Sequence, residues 1–502
     1  MRLDYVRIDR WPKLAWVACV PADGETITVY HGPKVETRPQ WFAGAVWDGP
    51  FDHGEIDRTD LIFGTGGKLR DGDAVFVLPG HMFGRLWSRE DGRSATVSNT
   101  LPGLLAVTDL DLLDNYPDYS RDVRSMVYGL DDNVGRIPTT GGPVRFTHYR
   151  NLVWKDGHLG QEEKPDPAPH FDSFRQYRDY LRAAAERLGE NCRSSSRSHP
   201  VGVLTSISSG YDSTATATIA RDAGCSRAVT ICESTSLWRG SDSGKRVADF
   251  LGLDCNEYPR TAESYPEETA VWAGEGRPNV LNWTQFDYDE PLCLLFTGCH
   301  GEKMWDRVSH DRPDPFARRS PASLGLCEWR LIRGVLQSPL PFWAVRHSHE
   351  LHAITARDMG PWAMGDDAYD KPIARRIVEE AGVPREAFGQ VNKNTSLEAP
   401  FWWPYSADAH ESYCDWRAER GLPIAEAARI ARIRKRAHFR HLLYLNIARP
   451  MGRKRGRPDW MRYSDASALF CWANQSLTER YRTGLGGRSP QPQPAVGDAR
   501  EG

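Results

Sequence analysis

One run of residues in this chain has the types and spacing that phosphate binding requires. Ser208-Ser209-Gly210-Tyr211-Asp212-Ser213-Thr214 follows the apolar segment 203–207 and precedes an alanine-rich helical pattern; we name it the serine loop (residues 208–214). Small residues let backbone N–H groups approach an anion, and the dipole of the following helix favours negative charge there. The hydroxyls add hydrogen-bond donors, and Asp212 offers a carboxylate to a divalent cation. The sequence therefore predicts a loop that binds the phosphates of a nucleotide.

A second run could complete such a site. Leu292 to Thr297 has the pattern of a buried strand, and it opens into Gly298-Cys299-His300-Gly301-Glu302, which we name the glycine loop (residues 298–302). Magnesium on a pyrophosphate commonly uses one or two protein carboxylates, so Glu302 is the predicted second metal ligand beside Asp212. His300 could act as a base near neutral pH, or it could be an ordinary loop histidine. The sequence leaves both interpretations of His300 open.

These two runs resemble the motifs of a known group of enzymes. The serine loop lacks the Gly-Lys-Ser/Thr of a Walker loop and the dinucleotide fingerprint. It resembles the Ser-Gly-Gly-x-Asp-Ser pyrophosphate loop of the ATP-pyrophosphatase superfamily, with Ser209 replacing the first glycine. The glycine loop resembles the Thr/Ser-Gly-x-Gly-x-Asp element of its asparagine synthetase and β-lactam synthetase branch, with Glu302 at the aspartate position and His300 where that branch has glycine. The resemblance implies ATP and Mg²⁺ as cofactors, bound by Ser208, Ser209, Gly210, Tyr211, Asp212, Ser213, Thr214, Ile231, Gly298 and Glu302.

Two later segments resemble the same branch. Glu328-Trp329-Arg330 is similar to a Glu-x-Arg element whose glutamate is implicated in acyl transfer, and the segment from Lys371 to Lys393 is similar to a helix, turn and lysine near that family's C-terminus. The resemblance implies catalytic roles for Glu328 and Lys393, with His300 as a further candidate. By themselves, Glu328 and Lys393 are more typical of surface or ion-pair residues. Cys299 occupies a position that is glutamate in asparagine synthetases and tyrosine in β-lactam synthetases, so a different acceptor substrate is expected.

The activity that the resemblance implies is an ATP-dependent, AMP-forming amide ligase. Such an enzyme adenylates a substrate carboxylate and transfers the acyl group to an amine, so both partners would be small molecules. Glutamine hydrolysis by an N-terminal cysteine is not expected, because residue 2 is Arg2 and the first cysteine is Cys19, inside an apolar stretch. The alternatives that remain open are a nucleobase- or tRNA-modifying enzyme of the same superfamily and a nucleotide-binding scaffold without catalysis.

The coarse pattern predicts an α/β fold. The strand-like segments 203–207, 228–232 and 253–258 alternate with helical patterns, which indicates βαβ units and a parallel sheet with ligands at the carboxyl ends of its strands. We expect a doubly wound, adenine nucleotide α-hydrolase-like synthetase domain after a β-rich, degenerate amidotransferase (Ntn-like) domain with short strands near 26–30, 73–78, 94–98 and 144–149. The predicted boundaries are 1–165 for the β-rich domain, 170–420 for the synthetase domain, 421–483 for a helical basic extension and 484–502 for a disordered tail.

Composition narrows the functional classes. The chain has 502 residues, a formal net charge of −3 and ten scattered cysteines, with no Cys-x-x-Cys pair. No apolar run reaches the length of a membrane span and no signal peptide is visible, so a cytoplasmic protein without membrane contact is expected. Residues 429–457 are rich in arginine, and the run at their end, Arg453-Lys454-Arg455-Gly456-Arg457-Pro458, resembles an AT-hook core. A nucleic-acid partner and a homodimer are left open.

Overall fold

The computed structural model describes most of the chain, with gaps in several loops and at the C-terminus. The described residues are 1–22, 24–166, 168–233, 241–262, 264–307, 314–318, 320–365, 369–390, 397, 399–448, 451 and 463–486. Lys393 and the AT-hook-like segment lie outside these residues. Most of the predicted tail, residues 487–502, lies outside them as well.

Residues 1–166, about a third of the chain, contain two packed β-sheets; we call this part the N-terminal half of the fold. Its strands are β1 Arg2–Arg7, β2 Trp16–Val20, β3 Thr26–His31, β4 Glu36–Arg38, β5 Trp41–Trp47, β6 Ile62–Arg70, β7 Asp73–Val77, β8 Leu86–Asp91, β9 Ser94–Ser98, β10 Arg136–Thr139, β11 Gly142–Thr147, β12 Asn151–Lys155 and β13 His158–Glu162. One sheet has the order β1-β3-β2-β9-β8-β11-β10 and the other β13-β12-β7-β6-β5-β4. Trp16, Phe42, Phe76 and Trp154 pack between them. The predicted β-rich N-terminal region is confirmed.

The C-terminal half (from residue 168 onward) is built on a five-stranded parallel sheet. Its strands are β14 Val201–Ser206, β15 Arg227–Ile231, β16 Asp254–Tyr258, β17 Leu292–Thr297 and β18 Val335–Pro339, in the order β16-β15-β14-β17-β18. The predicted mixed α/β class with a parallel sheet is therefore confirmed. The strand order reverses its direction of growth between β14 and β17, and such a switch point leaves a crevice at the carboxyl ends of the two strands.

Helices cover both faces of this sheet. Two helices, α1 Leu101–Thr108 and α2 Tyr119–Asp122, belong to the N-terminal half. Those of the C-terminal half are α3 Phe174–Cys192, α4 Tyr211–Ala220, α5 Lys245–Leu251, α6 Glu268–Glu275, α7 Cys327–Arg333, α8 Ser348–Asp358, α9 Pro372–Glu380, α10 Ala407–Glu419, α11 Ala427–Leu443 and α12 Ala466–Leu485. In β17, Leu294 and Phe296 pack toward α3, α4 and α9, whereas Cys293 and Leu295 pack toward α6, α10 and α12. The alternation follows from the two-residue period of a strand. In the described part of the chain, no helix is both long and apolar enough to cross a bilayer.

The amphipathic helix predicted near residues 171–188 begins at Phe174 as α3. The Ser173 side chain caps it by accepting a hydrogen bond from the Gln176 N–H. Tyr177, Leu181 and Leu188 form its buried stripe, because residues three or four apart share one helix face.

The two halves share continuous apolar cores. Phe83 and Tyr149 of the N-terminal half lie in the same buried cluster as α3 and α9, and Trp87 lies in the cluster that contains α12. The last helix, α12, packs against α6 of one half and α1 of the other. This shared packing fixes the position of the N-terminal half relative to the parallel sheet.

We expect the buried carboxylate of Glu268 to be a stabilising element. It accepts hydrogen bonds from the backbone N–H groups of Tyr405 (2.6 Å) and Ser406 (2.8 Å) and from Trp272 Nε1 (3.0 Å). A Glu268→Gln variant replaces one acceptor oxygen with a donor, which should lower the free energy of unfolding by about 2 kcal/mol in urea denaturation. Glu267→Gln at the exposed neighbouring position is the matched control and should change it by less than about 0.5 kcal/mol. Equal effects of the two variants would contradict this account.

Candidate functional site

A cleft opens at the carboxyl ends of β14, β15 and β17, where the strand order switches direction. Its empty volume is about 820 Å³, part of it open to solvent. Most of the residues predicted to bind a nucleotide or metal line it: Ser208, Gly210, Tyr211, Asp212, Ser213, Ile231, Gly298, His300 and Glu302. Ser209 and Thr214 are not among the lining residues. The serine loop and the glycine loop, 84 or more positions apart in the chain, therefore form one cleft.

Hydroxyl groups hold the shape of the serine loop. The Ser208 and Ser213 hydroxyl oxygens are 2.7 Å apart, and Ser213 Oγ also accepts from the Ser208 N–H at 3.0 Å. The fully buried Thr214 hydroxyl donates to the Ser208 carbonyl at 3.0 Å. Thr214 thus fixes the turn from inside, and its predicted direct contact with phosphate has no support from this position. Ser209 pairs through its backbone with Asp242 and Gly389.

The first turn of α4 points into the cleft. The N-cap residue is Gly210, which has no side chain to cap the first N–H groups of the helix. In the described residues, the N–H groups of Asp212 and Ser213 have no hydrogen-bond partner outside the helix. Such orphan donors and the positive end of the helix dipole make this turn suitable for an anion.

The glycine loop contacts Asp212 so closely that two of its glycines are sterically required. A Cβ atom on Gly298 would lie 2.5 Å from the carbonyl carbon of Asp212, and one on Gly301 would lie 2.3 Å from its Cγ. Between them, His300 adopts φ 67°, a left-handed conformation that favours glycine. The glycines therefore let the backbone of one loop pack directly on the carboxylate of the other.

An acidic cluster surrounds one lysine at this contact. Lys371, at the start of α9, places its Nζ 2.6 Å from Asp212 Oδ2 and 3.4 Å from Asp306 Oδ1. Burial raises the pKa of Asp212 to about 6, and the charge of Glu302 contributes to this rise. The nearby ammonium of Lys371 opposes it. Burial alone would lower the pKa of Lys371, but Asp212, Asp306 and Glu302 hold it above its usual range. Lys303 Nζ lies 4.0 Å from Glu302 Oε1, so three carboxylates face two ammonium groups and one negative charge is in excess when all three are ionised.

The pKa of Glu302 moves in the opposite direction. Burial alone would raise it, but hydrogen bonding and charge from His300, together with Lys371, hold the pKa of this carboxyl well below its usual range. The His300 Nδ1 lies 3.8 Å from Glu302 Oε1. Glu302 is therefore ionised at neutral pH.

These oxygen donors suit a hard divalent cation whose coordination is completed by phosphate oxygens. Asp212 Oδ1 is buried and has no hydrogen-bond partner among the residues that the structure describes, so one carboxylate oxygen is left for a ligand. In the described residues, no group of three or more histidine, cysteine, aspartate or glutamate side chains has an arrangement that could hold a metal by itself. Mg²⁺ needs no such cage, because it is usually bound by one or two carboxylates with substrate phosphates and water.

His300 and Cys299 line the same cleft near the N-terminal half. The His300 ring packs between Phe83 and Phe342, each 5.7 Å away between centroids. Its Nε2 is buried and has no hydrogen-bond partner in the described part of the chain. Burial raises the pKa of the Cys299 thiol, although hydrogen bonds to Thr297 and Ser323 oppose the shift. Cys299 is thus a neutral thiol in the cleft wall, which His300 lines as well.

Glu328 lies away from this cleft, at the contact between the two halves. Its carboxylate accepts from Thr100 Oγ1 at 2.7 Å and from the Leu101 N–H at 3.2 Å. It therefore caps α1 of the N-terminal half from α7, which is a structural arrangement. Lys393 lies outside the described residues.

Sequence reasoning missed four residues of the site. Lys371 and Asp306 complete the acidic cluster, and Trp283 and Phe286 form an aromatic wall of the cleft. Asp306 follows Glu302 by four positions, a spacing that could have been noticed. Lys371 immediately precedes the proline that opens α9 and was overlooked in favour of Lys393. Trp283 lies in the short 3-10 helix Leu281–Gln285 and Phe286 directly follows it, and only the fold determines the position of this helix.

Comparison with models of protein families gives no match, and comparison with curated proteins gives none either. The interpretation of the cleft therefore depends on its own residues and geometry.

Glu328 should make stability depend on pH. Burial raises its pKa to about 7 although the hydrogen bonds from Thr100 and Leu101 oppose this. A carboxyl whose pKa is higher in the folded state stabilises the fold fully at low pH, and this contribution is lost as the pH rises through 7. From pH 4.5 to pH 7, between the ordinary and the folded pKa, the unfolding free energy of the unaltered chain should fall relative to Glu328→Gln, by at most about 1.4 kcal/mol per pH unit, and above about pH 8 the difference should stay constant.

Urea denaturation across this pH range measures the difference, with Glu190→Gln at an exposed position as the control. Parallel pH profiles of the unaltered chain and Glu328→Gln would contradict the assignment.

Proposed function

We propose that this protein is an ATP-dependent, AMP-forming amide ligase that resembles asparagine and β-lactam synthetases and has no glutaminase activity. The observation that carries the proposal is the meeting of Asp212 and Glu302, from two distant loops, in one cleft at the switch point of a parallel sheet. The finer fold assignment, a doubly wound adenine nucleotide α-hydrolase-like domain after a degenerate amidotransferase-like domain, belongs to the same proposal.

The triphosphate is proposed to lie over the first turn of α4. The N–H groups of Asp212 and Ser213 and the ammonium of Lys371 would offset its negative charge. Asp212 and Glu302 would hold Mg²⁺, which neutralises charge on the pyrophosphate when bound. The base would lie toward Ile231, Trp283 and Phe286, whose apolar side chains suit a planar ring.

The reaction would proceed in two displacements. A carboxylate oxygen of the substrate attacks the α-phosphorus, so the bond to the β-phosphate oxygen breaks and pyrophosphate leaves. An amine then attacks the acyl carbon of the resulting acyl-AMP, AMP leaves, and the amine gives up a proton. His300 Nε2 is the candidate acceptor of that proton, because it lines the cleft and has no partner in the described residues.

Lys371 takes the charge-stabilising role that the sequence assigned to Lys393. Its ammonium contacts the predicted metal ligand directly, whereas Lys393 lies outside the described residues. The proposal does not use Glu328, whose oxygens are occupied by Thr100 and Leu101. Burial raises the pKa of the Cys19 thiol to about 12, which leaves it protonated and weakly nucleophilic, so the amine is proposed to enter as a free substrate.

Removal of the Asp212 carboxylate should abolish nucleotide binding and activation. For Asp212→Asn, we expect loss of the rise in melting temperature that ATP with Mg²⁺ produces, and at least a 100-fold loss of ATP–pyrophosphate exchange with an accepted carboxylate. Asp222→Asn, at a surface ion pair with Arg182, is the control and should retain both. Unchanged nucleotide binding in Asp212→Asn would exclude this cleft. Binding without exchange for any carboxylate would favour a scaffold.

One observation favours nucleic acid as the rival substrate class. Helix α11 carries the cations Arg429, Arg432, Arg434, Lys435, Arg436 and Arg440 and no acidic residue. Arg434 donates to the carbonyls of Trp403 and Pro404. Phe439 on the same helix is 63% exposed, and an exposed aromatic ring beside cations can stack on an unpaired base.

A gel-shift experiment separates the two classes. With duplex DNA and with tRNA, we expect only weak retardation that disappears near 150 mM salt, because few phosphates would be neutralised. Specific retardation that survives this salt concentration would support the nucleic-acid alternative over a small-molecule ligase.

A further inference from the structure

A second cavity lies between the two halves, separate from the cleft. It is bounded by Gly64 and Thr65 of β6 and by Arg85 on one side, and by Arg330 and Gln337 on the other. Its volume of about 50 Å³ exceeds the roughly 10–15 Å³ that one water requires. The cavity is therefore large enough for a few waters or one small ion; we name it the junction cavity.

Arg85 is a buried cation whose donors are not used up. It is 2% exposed, and its Nη2 donates to the Gly274 carbonyl at 3.0 Å. Its Nε and Nη1 are buried and have no hydrogen-bond partner among the described residues. A guanidinium has five N–H donors, and leaving them unsatisfied in the interior is unfavourable.

Arg330 is a second buried cation on the wall of the junction cavity. It is 8% exposed and donates to three neutral oxygens, namely the Ser323 carbonyl (3.1 Å), Gln337 Oε1 (2.8 Å) and the Phe83 carbonyl (2.6 Å). Among the described residues, neither Arg330 nor Arg85 has a carboxylate oxygen within ion-pair distance. Two charges thus border one cavity without a direct counter-ion.

The nearest buried acids do not fill this role. Glu328 uses its two oxygens on Thr100 and Leu101, and burial raises its pKa to about 7, so part of it is neutral at physiological pH. Glu275 forms its ion pair with Arg124 at 3.0 Å. Buried charges without direct partners are costly, and a bound anion would remove that cost.

We propose that the junction cavity binds a small monovalent anion, either inorganic or the carboxylate group of a small molecule, between the guanidinium groups of Arg85 and Arg330. The site does not depend on the proposed ligase activity. Because its walls come from both halves, the anion would join β6 and the Arg85 segment to α7 and β18. An anion that binds only the folded chain stabilises it by mass action.

The direct test is a crystal of the full chain soaked in sodium bromide. We expect an anomalous bromine peak in the junction cavity, within hydrogen-bond reach of both guanidinium groups. Peaks confined to the protein surface, with only water in the cavity, would overturn the proposal. This measurement needs no variant, so it stands even where a substitution prevents folding.

Solution measurements distinguish the source of the anion. At constant ionic strength in a bulky buffer anion, formate should raise the melting temperature by a few degrees. The rise should be lost in Arg85→Gln and retained in the exposed control Arg93→Gln. Stabilisation by formate but not butyrate indicates a free small anion, whereas equal stabilisation by both indicates a larger carboxylate ligand. No stabilisation by either, or the same stabilisation in Arg85→Gln, would contradict the site.

Discussion

The contact between Asp212 and the glycine loop is the constraint on which the site depends. The two loops follow β14 and β17, which are adjacent in the sheet although 91 residues separate their starts. Gly298 and Gly301 have no side chain to hold the loops apart, so the backbone of one packs on the carboxylate of the other. That approach buries Asp212, raises its pKa to about 6 and leaves one of its oxygens without a partner among the described residues. A cation is the ligand that such an oxygen favours.

Lys371 completes this arrangement from a third element. The start of α9 places an ammonium among Asp212, Asp306 and Glu302, so the cluster can fold without a bound metal. With Lys303, whose Nζ lies 4.0 Å from Glu302, two ammonium groups face three carboxylates, and the remaining negative charge attracts Mg²⁺. The ammonium of Lys371 can also interact with a phosphate oxygen in the cleft. Lys371 would thus offset the carboxylate charge before the nucleotide binds and the phosphate charge afterwards. Its ammonium would already be in position when the reaction begins, which is what electrostatic preorganisation means.

The N-terminal half contributes to the C-terminal sites by contact. Phe83 packs on His300, and Thr100 and Leu101 satisfy Glu328. Arg85 reaches the Gly274 carbonyl at the end of α6. These contacts bury polar groups at the junction, and burial there raises the pKa of Glu328 to about 7. The N-terminal half, for which no reaction is proposed, therefore determines the surroundings of His300 and Glu328, two residues for which the sequence analysis expected catalytic roles.

The sequence by itself determined the local features of this protein. The order of strand, serine loop and helix at residues 201–220 follows from β-branched residues, small turn residues and alanines, and β14, α4 and β15 lie where that pattern predicts. Only the tertiary structure decided which distant groups meet. Whether Glu328 joins the cleft depends on the direction in which α7 packs, and it packs toward Thr100. Lys371 rather than a later lysine reaches Asp212 because α9 begins beside the serine loop, and chain spacing carries no information about that packing.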